Sequence, residues 1–338
     1  MKLELGNAEV VRFRDDFARL ELAIRRVIVG QEAVISELLT TVLAGGHVLL
    51  DGLPGLGKTQ LAIAMAKSIG VSFSRIQCTP DLMPSDITGS EVLAGGRNGD
   101  RQSFRFQPGP IFASMVLVDE INRAPPKTQS AMLEAMQERQ VTYAGVKHEL
   151  PSPFWILATQ NRIEFEGTYP LPEAQLDRFF SHIVVPYPSK GALLDLVDCA
   201  LDTEGARNLD VVLSSERIAE MMAQAREVIL SGHVKRAAVD LIVSTHPKNE
   251  GGSSLVKQHV LYGASPRALQ SLLRAARVRA LVEGRGHVAI DDLLASALSV
   301  LRHRVFLTMA SQLDGVETDA VLGELVAEWL KKQSKTLS

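Results

Sequence analysis

Gly52-Leu-Pro-Gly-Leu-Gly57-Lys58-Thr59 matches G-x-x-x-x-G-K-[ST], and what flanks it decides its meaning. Before it runs His47–Asp51 (HVLLD), short and apolar like a buried strand. After it, Thr59–Ile69 places Leu61, Met65 and Ile69 at helical spacing, and Gly70 suits the C-terminal cap. Strand, glycine-rich turn and helix in that order build a phosphate cradle. The glycines let backbone N–H groups wrap the anion, and the helix N-terminus adds a favourable dipole. Gly52, Pro54, Gly55, Leu56, Gly57 and Gln60 are the expected loop contacts. Lys58 is expected on the β- and γ-phosphates, and the Thr59 hydroxyl on Mg²⁺. A glycine turn with a solvent-facing lysine is the alternative, and the flanking strand and helix argue against it.

Working outward, further apolar runs lie at Val71–Gln77, Ser114–Asp119, Phe154–Thr159 and His182–Val185. Their apolarity is continuous rather than alternating, which suits a parallel sheet covered on both faces. Pro126 fits the first position of a helix that Ala131–Arg139 continues. Met1–Pro188 therefore reads as an α/β domain with a five-stranded parallel sheet. Two hairpins interrupt the alternation. Glu91–Leu93 and Phe104–Phe106 flank the turn Ala94–Ser103, and Val141–Tyr143 and His148–Leu150 flank Ala144-Gly145. After Pro188, helical patterns take over at Leu193–Leu201, Ser215–Leu230, Pro266–Val282 and Asp291–Phe306, with a polar loop at Pro247–Ser254. Residues 189–338 read as an all-α domain.

Met115–Val118 ends in Asp119-Glu120, two carboxylates at the C-terminal edge of a parallel sheet, where ligands bind in such folds. Asp119 is expected to hold Mg²⁺ through water. Glu120 is expected to accept a proton from attacking water, which points to hydrolysis. An Asp-Glu pair is also a common solvated turn, but the phosphate loop favours the chemical reading. Asn161, after the fourth strand, could orient that water or simply cap a turn. Arg178 precedes the fifth strand, with a surface ion pair to Asp177 as its alternative. Arg267 opens a helix, where a cation opposes the dipole, so its reason should lie elsewhere.

The chain has 338 residues, 36 Lys+Arg against 39 Asp+Glu, and a net charge of -3. A hydrophobic fraction of 46% is enough for a core and excludes wholesale disorder. Two domains fit that length. No apolar run approaches the ~20 residues of a membrane span, and Met1–Arg14 lacks a signal-peptide stretch. Cys78 and Cys199 cannot form a disulfide framework. A cytoplasmic chain with reduced thiols is expected, and the charge balance gives no global attraction for nucleic acid.

These residues, in this order, resemble the AAA+ ATPases and, within them, the MoxR family. Gly52–Thr59, Leu117–Gln129 (LVDEINRAPPKTQ), Leu157–Asn161 and Tyr169–Phe179 carry the likeness, which spans about residues 20–310. The resemblance implies that Asp119 and Glu120 form the Walker B pair and that Asn161 is sensor 1. It makes Arg178 the arginine finger and Arg267 the sensor 2 of a helical lid. Val29-Gly30-Gln31 resembles the segment packing beside adenine, and the hairpins resemble inserts that face a ring's central pore. It further implies a homo-oligomer, a hexameric ring in this family, hydrolysing ATP to ADP and phosphate. A von Willebrand factor A-domain partner and a client protein, remodelled, matured or loaded with metal, belong to the same implication. One departure is Arg162, where many relatives carry proline.

Weaker patterns remain. The eight histidines, among them His182, His246, His259, His287 and His303, show no metal spacing. Arg274, Arg277 and Arg279 join Arg267 on one helix, as a solvated or intersubunit face. No aromatic residues interleave with them as a nucleic-acid surface would require. Arg123 could reach a neighbour's nucleotide or form a local salt bridge. A chelatase subunit, a DNA-dependent motor and a non-hydrolysing scaffold are the competing functions. The complete set Lys58, Glu120, Asn161 and Arg178 argues against the scaffold.

Overall fold

The computed structural model describes residues 5–94, 103–161, 167–201, 209–249 and 252–336. Helices α1 (Asn7–Arg25) and α2 (Glu32–Leu43) precede β1 (Val48–Asp51), α3 (Lys58–Ser68), β2 (Phe73–Gln77) and the short α4 (Pro84–Thr88). A hairpin of β3 (Gly89–Ala94) and β4 (Ser103–Pro108) leads to β5 (Met115–Asp119). After a 3-10 turn at Ile121–Arg123 come α5 (Pro126–Glu138) and a second hairpin, β6 (Gln140–Tyr143) and β7 (Val146–Glu149). Next come β8 (Trp155–Gln160), α6 (Glu173–Leu176) and β9 (Ser181–Val184).

The main sheet has five strands in the order β2-β5-β8-β1-β9, and all of its pairs are parallel. Its side chains alternate between two cores. Val48, Leu50, Met115, Leu117, Trp155 and Leu157 face one; Leu49, Val116, Val118, Ile156 and Ala158 face the other. In the central strands β1, β5 and β8 both faces are dry, so these read as unbroken apolar runs. The Trp155 indole N–H donates to the Val42 carbonyl at 3.0 Å and fixes α2 against the sheet. The two hairpins meet through Phe106, which stacks on His148 with centroids 3.9 Å apart and touches Tyr143 and Phe112.

The rest of the chain is α7 (Lys190–Leu201), α8 (Ser215–Glu227), α9 (Gly232–Ser244), α10 (Ser254–His259), α11 (Pro266–Val282), α12 (Ile290–Leu301), α13 (Met309–Leu313) and α14 (Thr318–Thr336). Side-chain caps from Ser214, Ser231, Ser253, Ser265 and Thr308 start α8 to α11 and α13. Two details correct the purely helical expectation. The helix expected over Asp291–Phe306 stops at Leu301, and Phe306 instead pairs in a small ribbon of β10 (Val260–Tyr262) and β11 (Phe306–Leu307). Helix α8 ends at Glu227 rather than Leu230, because Val228 turns to an extended conformation at ψ 133°. The N-terminal helix binds this half too: Arg217 Nε donates to Asp16 Oδ2 at 2.8 Å, and both side chains are buried. Arg97, Arg101, Arg162, part of the Pro247–Ser254 loop and the Cys199 side chain lie outside the described residues. No helix among the described residues is long and apolar enough to cross a membrane.

Candidate active site

Parallel pairing brings four strand ends to one edge. Asp51 stands in register with Gln160, and Gln77 with Asp119, so β1, β2, β5 and β8 finish together. The phosphate loop leaves β1 there and enters α3 through Gly57, whose φ of +76° suits a residue without a side chain. Pro54, Gly55 and Gln60 are exposed, whereas Gly52, Leu56, Gly57, Lys58 and Thr59 are half-buried. The Lys58 ammonium folds over the loop, donating to the Gly52 carbonyl at 2.5 Å and the Gln160 carbonyl at 3.4 Å. Burial lowers its pKa, while the carboxylates of Asp51, Asp119 and Glu120 pull the other way. Gln31 ties the preceding segment to the loop by donating to the Leu56 carbonyl at 2.8 Å. Gly30, at φ +72°, lies against Ala192 of α7 so closely that a Cβ would clash, and Val29 precedes it.

Asp119 is the hub of this edge. Its Oδ1 accepts from the Thr159 hydroxyl at 2.6 Å, and its Oδ2 from Thr59 at 3.3 Å and Arg75 at 2.7 Å. Burial pushes this carboxyl up, but the Thr159, Arg75 and Thr59 contacts outweigh it and hold it below the usual range. It is therefore ionised at neutral pH. A hydroxyl and an ionised carboxylate 3.3 Å apart are hard oxygen donors, a set that fits Mg²⁺. Glu120 follows in the left-handed conformation at φ +57°, and its N–H donates to Thr159 Oγ1 at 2.8 Å. Such a backbone costs about 1–2 kcal/mol in a non-glycine residue. It turns Glu120 away from the strand's alternation. Arg123 donates to Glu120 Oε2 at 3.0 Å, which is the local salt bridge of its two readings, and Gln77 donates at 3.3 Å. Asn161 is buried beside them, its carbonyl accepting from Asn122 at 3.4 Å. Arg75 and Gln77 escaped the sequence reading. Their signal is an Arg and a Gln at i, i+2 in β2 (FSRIQ), both exposed on the sheet's edge strand.

Arg178 and Arg267 are elsewhere. The Phe180 N–H donates to the His47 carbonyl at 2.8 Å, so the Asp177–Phe180 segment sits where β1 begins rather than where it ends. Four residues of strand, about 13 Å at 3.3 Å each, separate that end from the phosphate loop. There Arg178 and Arg267 line a cavity of about 380 Å³ together with Arg139, Arg274 and Arg304. His47, in the same wall, is held neutral: burial lowers its pKa to about 4. Arg178 Nε has no hydrogen-bond partner among the described residues, and Arg267 reaches Asp177 at 3.6 Å while remaining 53% exposed. Arg274 lies over the Phe180 ring at 5.3 Å and bonds the Ala44 carbonyl. Arg267 and Arg274 are nonetheless exposed along this wall, while Arg277 and Arg279 are half-buried.

The family described as "ATPase family associated with various cellular activities (AAA)" matches residues 47–181, and the AAA lid domain matches residues 252–325. "Chaperone MoxR1" of Mycobacterium tuberculosis is 40% identical over 90% of this chain and 79% of its own length. "Uncharacterized protein YeaC" of Bacillus subtilis is 40% identical over 90% of this chain and 91% of its own. "Protein MoxR" of Methylorubrum extorquens is 33% identical over 90% and 92%. A crystal structure from Cytophaga hutchinsonii, whose ATPase activity is an assignment, superposes with a TM-score of 0.86 at 35% identity, covering 94% of this chain and 95% of that one. Sheet order, lid and relatives over nearly the whole length agree, and the chain belongs to the MoxR family of AAA+ ATPases.

Proposed function

We propose that the chain hydrolyses ATP to ADP and phosphate in a ring of identical copies, hexameric as its family resemblance implies. Lys58 pairs with the β- and γ-phosphates, and the loop from Gly52 to Gln60 offers its backbone N–H groups. Val29 and Gly30 lie beside adenine. Thr59 and Asp119 hold Mg²⁺, which supplies charge neutralisation at the phosphate oxygens. Glu120 takes the proton of the attacking water, and Asn161 orients that water.

The observation that carries the ring is the length of sheet between Lys58 and the arginine pair. Arg178 and Arg267 line one cavity at the far end of β1, where their own phosphate loop is out of reach. Both therefore act in trans, on nucleotide held by the adjacent copy. We take 1–188 as the nucleotide core and 189–338 as the lid, with turnover changing how they sit in the ring. The work done is chaperone-like remodelling or maturation of a client, assisted by a von Willebrand factor A-domain partner, in the cytoplasm. The Mycobacterium tuberculosis relative, Chaperone MoxR1, supports the chaperone part by its name.

Sedimentation velocity with and without ATP, alongside phosphate release, tests the reading. Faster-sedimenting rings that hydrolyse ATP are expected. A monomer that is fully active at every concentration contradicts it.

A further inference from the structure

We propose that Arg75 is the resident counter-cation of Asp119, and that a divalent metal reaches Asp119 Oδ2 by displacing this guanidinium. Arg75 thereby sets how much metal the site needs. The inference rests on the phosphate-site reading above, but needs neither the ring nor hydrolysis.

The geometry makes this an exchange rather than a co-occupation. Asp119 Oδ1 is committed to Thr159 at 2.6 Å, so Oδ2 is the oxygen left for a cation. That same oxygen accepts from Thr59, the proposed metal-binding hydroxyl, at 3.3 Å, and from Arg75 Nη2 at 2.7 Å. Whether that oxygen would meet the ion directly or accept from one of its waters, a guanidinium bonded to the same oxygen would face a divalent charge and be repelled by it. The pair is also built to open. Asp119 is buried, whereas the Arg75 side chain is 49% exposed and starts from the edge strand β2.

A second seat waits beside it. The same Nη2 donates to Gln77 Oε1 at 2.7 Å, so Arg75 can leave Asp119 without losing every partner. Gln77 in turn donates to Glu120 Oε2 at 3.3 Å. Asp119, Arg75, Gln77 and Glu120 thus form one chain of contacts, and the arrival of metal at one end is felt by the carboxylate at the other. A purely structural arginine would hold Asp119 in place for the metal, and its loss would weaken metal binding. A competitor gives the opposite sign. Repulsion between one unit charge and a divalent ion across a solvated site amounts to about tenfold in affinity.

The test is a titration of Mn²⁺, followed by the electron paramagnetic resonance of the free ion, into a stoichiometric complex of the protein with a non-hydrolysable ATP analogue. Arg75→Gln should bind Mn²⁺ about tenfold more tightly than wild type, and Arg75→Lys, which keeps the charge, within about threefold of it. Arg75→Met serves in place of Arg75→Gln should that variant melt early. Affinity equal to or weaker than wild type in the neutral variant overturns the inference. Wild-type complex that retains no Mn²⁺ removes the metal site itself, and this inference with it.

Discussion

Arg304 clamps Asp177 across the boundary between sheet and lid, its Nε donating to Asp177 Oδ1 at 2.8 Å. The buried guanidinium also bonds the carbonyls of Asp177, Phe179, Phe180 and Val300. Ser265 donates to the same carboxylate at 2.7 Å. Asp177 is thereby committed to the lid, and its neighbour in sequence, Arg178, is not its ion-pair partner. A surface pair between them was the bland alternative for Arg178, and this geometry takes away its partner.

Replacing Arg304 by Met should be strongly destabilising, because it removes the buried cation bonded to the Asp177 carboxylate and to four carbonyls. About 3–5 kcal/mol is the usual cost of breaking a buried pair from one side. Urea unfolding would measure it. A loss under about 1 kcal/mol would mean the clamp is incidental.

Lys58→Ala should weaken nucleotide binding, since the phosphates lose their direct cation. Titrating a fluorescent ATP analogue into both proteins checks this, and equal affinities would remove Lys58 from the site.

Glu120→Gln should bind ATP yet turn it over about 10²–10⁴-fold more slowly. The amide keeps the size of the side chain but cannot take up the proton of water. Single-turnover rates read the step, and a rate within a few-fold of wild type would assign the base elsewhere.

Thr159 ties the two carboxylate residues together, donating to Asp119 and accepting from the Glu120 N–H. Because the Asp119 pKa is depressed in the fold, its share of stability is present above the ordinary carboxylate range and is lost as pH falls through the folded value. Thr159→Val should raise that pKa and cost about 1–3 kcal/mol at neutral pH. The gap to wild type should narrow below about pH 4. Denaturation series at pH 7 and pH 3 compare the two, and a gap that widens towards acid would refute this account of Asp119.

Much of the sheet could be read from sequence because each central strand is buried on both faces, and Gly52–Thr59 needs only local order to be recognised. The ribbon of Val260–Tyr262 and Phe306–Leu307 is too short for any alternation to show. His182 looked like one of several scattered histidines, yet it lies 3.1 Å from Asp51, just before the phosphate loop. Arg304 fell inside an expected helix and instead follows its end. Arg139, Arg178, Arg267, Arg274 and Arg304 come from distant segments, and no spacing along the chain announces that they share a cavity. The signals missed are those made by tertiary proximity.

The claim on which the account turns is that Arg178 serves the neighbouring copy's ATP. Arg178→Ala alone should lose about 10³–10⁵ in rate, or about 4–7 kcal/mol of barrier. The decisive measurement mixes Arg178→Ala subunits, which keep Lys58, with Lys58→Ala subunits, which keep Arg178, after subunit exchange has been demonstrated. Each is inactive alone, but mixed rings contain junctions with an intact phosphate site facing an intact arginine. Hydrolysis that returns on mixing is the predicted result; demonstrated exchange with no return of activity contradicts it.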